Sequence, residues 1–155
     1  MDREFIARRD DHSALRIWLR LLTCTQLIER RVRSGLREQF ATTLPRFDLM
    51  AQLERHADGL KMGELSRLLM VTGGNVTAIV DQLEKEGLVE RLDEPDDRRA
   101  FRIRLTRAGE KTFTDMARAH EDWVVELIAG LTKREQDELL KLLAKVKSHA
   151  VEVVS

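Results

Sequence analysis

From His12 to about Phe40 the chain carries no Pro and no Gly except Gly35. Its apolar residues there, Leu15, Trp18, Leu19, Leu22, Leu27, Ile28, Val32 and Leu36, recur at three- and four-residue steps, which puts them on one face of a helix. Phe113, Met116, Ala117, His120, Val124, Leu127 and Ile128 form a second stripe of the same kind, with Gly130 as its stop. Thr132-Lys133-Arg134-Glu135 then has the spacing of a capping box, and Leu139, Leu140, Leu142, Leu143 and Val146 mark a third helix behind it. A chain of 155 residues has too little core to cover three such faces. They must either pack on the middle of the chain or meet those of a second copy. The second arrangement is expected, because the ends are richer in apolar residues than a surface layer needs.

The middle reads differently. Pro45 suits the start of a helix whose inner face is Phe47, Leu49, Met50 and Leu53. After Asp58-Gly59 a short helix, Met62 to Leu69, carries Met62, Leu65, Leu68 and Leu69 on one side. A break at Val71-Thr72-Gly73-Gly74 leads to another helix, Asn75 to Glu86, with Val76, Ile79, Val80 and Leu83 inward and Gly87 at its end. Leu88 to Leu92 and Ala100 to Leu105 read as two strands around the turn Glu94-Pro95-Asp96-Asp97. Phe101, Ile103 and Leu105 alternate with Arg102 and Arg104, the period of a strand with one wet face. Helix, helix, helix, hairpin is the order of a winged helix-turn-helix. The expected fold is therefore mainly α with a small β-hairpin wing, plus long terminal dimerisation helices.

A helix that reads a major groove about 12 Å wide needs a small, polar outer face near its N-terminus. The positions available here are Thr72, Gly73, Gly74, Asn75, Thr77 and Ala78. Thr72 can cap the helix, and the first-turn N–H groups can meet a phosphate. Asn75 and Thr77 can bond base edges, and Ala78 can touch a thymine methyl. An ordinary solvated helix carries Lys and Glu on that face, and here they come only at Glu84-Lys85-Glu86. The hairpin adds four arginines in seven residues, Arg98, Arg99, Arg102 and Arg104, beside Asp96-Asp97, which can orient guanidinium groups. Arginine at a wing tip suits a narrow minor groove, and the others suit phosphate.

Lys+Arg and Asp+Glu each total 27, a balance that argues against a protein coating DNA indiscriminately but not against arginines gathered on one face. No stretch approaches the roughly 20 apolar residues of a membrane span. The start, Met1-Asp2-Arg3-Glu4, is charged and lacks an apolar signal core. One cysteine, Cys24, permits no internal disulfide, so the expected location is the cytoplasm. His12, His56, His120 and His149 are scattered, no cluster has metal-ligand spacing, and Gly73-Gly74 lacks the rest of a phosphate loop. Neither catalysis nor a cofactor nor a metal is expected.

The run Asp58-Gly59-Leu60-Lys61-Met62-Gly63-Glu64-Leu65-Ser66, then Gly74-Asn75-Val76-Thr77, Asp81-Gln82-Leu83-Glu84 and Gly87-Leu88-Val89, resembles the MarR family. So does Pro95-Asp96-Asp97-Arg98-Arg99 followed by Ile103-Arg104-Leu105-Thr106, the family's wing signature. The resemblance spans essentially the whole chain. It implies a homodimeric regulator, usually a repressor, on a palindromic double-stranded DNA operator. Arg99 would reach the minor groove with Asp97 steadying it, while Asn75 and Thr77 read bases and Ser66 and Arg67 touch the backbone. Many relatives are basic where Thr77-Ala78 stand, which implies more apolar groove contacts here. The division that follows is an N-terminal dimerisation helix (1–43), a winged lobe (44–106) and C-terminal dimerisation helices (107–155), intertwined as one domain.

The family commonly senses a phenolic or aromatic carboxylate, or its coenzyme A thioester, where the dimerisation helices meet the lobe. Trp18, Leu22, Phe47, Met50 and Phe113 could supply apolar walls, and Arg16 or Arg20 the cation. Other relatives sense oxidants through a cysteine. Cys24 lies later in its helix than theirs, and the chain has no tyrosine to support a thiolate, so the simpler place for Cys24 is the core. A winged helix serving as a protein-interaction scaffold is the remaining alternative.

Overall fold

The computed structural model describes residues 12–69 and 73–155. Helix α1 (Ser13–Phe40) leads through a tight corner into α2 (Leu44–Glu54). The two-residue strand β1 (Leu60–Lys61) precedes α3 (Met62–Leu69) and α4 (Gly73–Lys85). The hairpin β2 (Val89–Glu94) and β3 (Asp97–Leu105) follows, then α5 (Arg107–Ile128) and α6 (Lys133–Val154).

Each boundary has a local cause. At the end of α1, Thr42 N–H reaches back to Leu36 O (3.2 Å) and Ala41 takes a left-handed φ of 50°. Thr43 then caps α2, its hydroxyl accepting from Arg46 N–H at 3.4 Å, with Pro45 in the first turn. Gly87, at φ 74°, closes α4 in a Schellman arrangement. Its N–H bonds Glu84 O (3.0 Å) and Leu88 N–H bonds Leu83 O (2.9 Å), a turn that a side chain at position 87 would strain. Both bonds of the Thr132–Glu135 capping box are present at the start of α6.

The sheet is antiparallel in the order β1-β3-β2, with Leu60 opposite Ile103 and Val89 opposite Leu105. Two residues are too few to show a period, so β1 has no signature in the sequence. The hairpin runs further than expected. The strands reach Glu94 and resume at Asp97, leaving Pro95-Asp96 as the turn and bringing Arg98 and Arg99 into β3.

The core lies under the winged lobe. Leu49, Met50, Leu65, Val76, Val80, Leu83 and Ile103 are sealed from solvent, with Leu36 of α1 and Met116 of α5 over them. Of the first stripe, only Val32 and Leu36 are buried. Trp18 is 56% exposed, and Leu15, Leu19 and Leu27 are similarly open. Helix α6 buries no residue, and its Leu139, Leu140, Leu142, Leu143 and Val146 are exposed. Trp123, absent from the expected stripe, is buried at 4% against Gly35. Cys24 is exposed on α1, not in the core where a lone helical cysteine was expected. No described helix is long and apolar enough to cross a membrane.

Candidate nucleic-acid interface

Helix α4 has two chemically distinct sides. Val76, Val80 and Leu83 are fully buried, whereas Asn75, Thr77 and Ala78 are exposed beside them. Gly73 and Gly74 lie in its first turn, and no acidic residue stands there to repel an anion. Thr72, the expected cap, lies outside the described residues. On α3, Leu65 is sealed in the core, Ser66 is half-buried and Arg67 is exposed.

The wing sorts its arginines into two kinds. Arg98 and Arg99 are exposed, and among the described residues neither guanidinium has a carboxylate partner. Asp97, expected to orient a guanidinium, bonds the backbone instead: its Oδ1 accepts from Arg99 N–H at 2.9 Å, fixing the chain where the arginine leaves it. Arg104 bonds Glu90 across the strand pair at 2.5 Å. Arg102, expected at phosphate, turns inward to the Glu94 carboxylate and donates to Gly59 O at 3.2 Å. The opposing carboxylates Glu90 and Glu94 sit within reach across the ladder, which alternation along one strand cannot disclose.

A fifth arginine, Arg91 on β2, was not among the residues expected at the site. It bonds Asp81 and lies 3.3 Å from Glu84 Oε2, both on α4, with its Cζ 4.9 Å from the Phe101 ring centroid. Two acidic residues at i and i+3 followed by a strand arginine was the available signal.

The base of the wing is knotted to α5. Thr106 N–H donates to Leu88 O (3.0 Å), and its hydroxyl donates to Gly87 O (2.6 Å) while accepting from Gly109 N–H (3.0 Å). At the end of α4, Glu86 pairs with Arg46 of α2. The neighbouring Phe47 stacks on Phe113 at 5.5 Å and meets His120 at 5.1 Å.

The seven residues expected around an effector are not brought together. Phe47, Met50 and Phe113 are buried core. Arg16 and Arg20 instead line a cleft of about 640 Å³ between α1 and α6, with Ile17, Leu21, Leu139, Leu142 and Leu143. Trp18 and Leu22 lie on the same helix outside that lining. Asp48 of α2 has its carboxyl pushed above the usual range by burial, partly offset by His120 and Arg33, while Glu29 adds to the rise.

The sequence profile of the MarR family matches residues 42–101, from the start of α2 into β3. An uncharacterized HTH-type transcriptional regulator of Bacillus subtilis (strain 168), YkoM, is 31% identical over 90 residues, 58% of this chain and 58% of YkoM. The chain thus spans little more than half the length of that relative. A MarR family transcriptional regulator from Silicibacter pomeroyi superposes with a TM-score of 0.74 at 31% identity, covering 91% of this chain and 97% of that one. A cysteine-to-serine mutant of MarR from E. coli, complexed with operator DNA, gives 0.72 at 27% identity, with 87% and 96% covered. With the family profile on the winged lobe and a MarR family regulator 31% identical and covered over 97% of its own length, this chain belongs to the MarR family of transcriptional regulators.

Proposed function

We propose that the chain is a non-enzymatic, cytoplasmic, homodimeric regulator that binds a palindromic double-stranded operator. One recognition helix and one wing per subunit make the contacts. What carries the reading is the small polar face of α4 beside two arginines, Arg98 and Arg99, that have no carboxylate partner among the described residues. Asn75, Thr77 and Ala78 meet base edges, and the first-turn backbone N–H groups around Gly74 meet phosphate. Ser66, Arg67 and Arg98 meet the backbone, while Arg99 enters the minor groove. Arg102 is left out of that set, because Glu94 and Gly59 already engage it. The operator complex of the E. coli relative supports the same partner.

The uncovered apolar faces of α1 and α6, which another copy of the chain can cover, support the dimer in this reading. On this reading residues 1–43 and 107–155 serve assembly and 44–106 serve DNA. The regulator acts as a repressor, released by an aromatic or phenolic carboxylate or its coenzyme A thioester. Arg16 and Arg20 beside apolar walls in the α1–α6 cleft suit such an anion.

The test is binding of the purified chain to its own upstream DNA across a salt series, with and without a panel of aromatic acids and thioesters. Tight, salt-sensitive binding to a palindrome, released by one compound, is the expected result. Absence of sequence-specific binding under every condition would replace this reading with the interaction scaffold. Release by peroxide, lost in Cys24→Ser, would put a thiol switch in place of the ligand.

A further inference from the structure

We infer that Arg91 is a positioning residue for DNA reading: it locks the recognition helix to the wing so that both meet their grooves in one register. The inference rests on the DNA-binding reading above and adds to it a residue that touches no DNA. The core already holds the inner side of α4 through Val76, Val80 and Leu83, which are fully buried. Apolar contact of that kind is non-directional and tolerates small slides and rotations about the helix axis. Arg91 supplies the direction that the core lacks. Its planar guanidinium bonds Asp81 and lies 3.3 Å from Glu84, residues one helical turn apart on α4. Two anchors a turn apart oppose rotation as well as sliding, which a single ion pair would not.

The same guanidinium lies 4.9 Å from the centroid of Phe101, on the strand that also carries Arg98 and Arg99. One side chain therefore touches the recognition helix and both wing strands, counting its own. Arg91 retains only 32% of its side-chain exposure, and its Nη2 and Nε face carboxylates of α4. The pairing also offsets two negative charges that α4 would otherwise present near phosphate.

The experiment compares wild type, Arg91→Ala, Arg91→Lys and Phe101→Leu. Each is titrated with a duplex that the wild-type chain has enriched from a random library, and with a scrambled duplex, over a salt series. A Lys keeps the charge but not the fork or the stack, so Arg91→Lys is expected to lose about tenfold on the enriched duplex. Its affinity for the scrambled duplex and its salt slope should stay as in wild type. Phe101→Leu, which changes no charge, is expected to move in the same direction by less. A slope lower by about one unit in Arg91→Ala, restored in Arg91→Lys, would make Arg91 a direct phosphate contact and overturn the inference. Equal loss on both duplexes, or wild-type behaviour of Arg91→Lys, would overturn it too. If wild type enriches no sequence at all, the DNA-binding reading itself falls and this inference with it.

Discussion

The indole of Trp123 in α5 occupies the notch left by Gly35 in α1: a β-carbon at position 35 would lie 2.4 Å from Cζ2 of that ring. The Arg31 guanidinium covers the same ring at 5.2 Å. A glycine in the interior of a helix costs about 0.5–1 kcal/mol relative to alanine, so the close crossing of α1 and α5 must return more than that.

Gly35→Ala is therefore expected to destabilise the fold, although alanine is the better helix former. Overpacking of this kind costs about 1–3 kcal/mol, net of what the helix gains. In a Trp123→Leu background the added methyl should cost far less, and urea unfolding of the four proteins gives that coupling directly. Equal cost in both backgrounds would mean that the indole is not what excludes the methyl.

Ala41 offers the opposite case. It ends α1 at φ 50°, where an L side chain is strained and glycine is not. Ala41→Gly should raise stability by about 0.5–1 kcal/mol in urea melts, with an unchanged denaturant slope. A loss of stability would show that the methyl makes a contact worth more than the strain.

For DNA, Arg99→Ala is expected to weaken operator binding by about 1–3 kcal/mol, the scale of one good contact. Asp97→Ala should weaken it by less and leave the salt slope alone, because Asp97 holds the backbone of Arg99 and carries no positive charge. Unchanged affinity of Arg99→Ala at physiological salt would remove the wing from the mechanism.

Asp48 gives a pH signature. Burial is the largest cause of its raised pKa, so the folded state holds the proton more tightly than the unfolded chain does. The stability linked to that proton is fully present below the ordinary carboxyl value of 3.8 and is lost as pH rises through the raised folded value. Asp48→Asn should thus gain on wild type as pH rises across that window, and the gain should then level off. Urea midpoints of both proteins at pH 4 and pH 7 check it; a gap that widens toward acid would contradict the sign.

Much of this was visible in the chain. The Thr132–Glu135 box, the stop at Gly87 and the Met62 to Leu69 helix are local patterns, and local hydrogen bonds decide them. Gly35 and Trp123 lie 88 positions apart, so nothing in either neighbourhood announces their contact. The fate of Arg102 was hidden for a related reason. Its partners Glu94 and Gly59 are near only once β3 is paired on both edges, with β2 and with β1. The effector residues misled through chemistry: Phe47, Met50 and Phe113 are suitable pocket walls, and the same apolarity makes them core.

The knot at Thr106 has a mechanical meaning. Its three hydrogen bonds tie the foot of the hairpin to the first turn of α5, and a β-carbon at position 109 would fall 1.9 Å from Leu88 O, so the joint has no slack. Strand β3 has nine residues, an arm of about 30 Å beyond that joint. A tilt of α5 by about 10° pivoting there would sweep the arginine tip through about 5 Å, comparable to the width of a minor groove at about 6 Å. On the proposed reading of the wing, whatever leans on α5 works the short end of a lever, and a small tilt there is enough to move the arginine tip in or out of a groove.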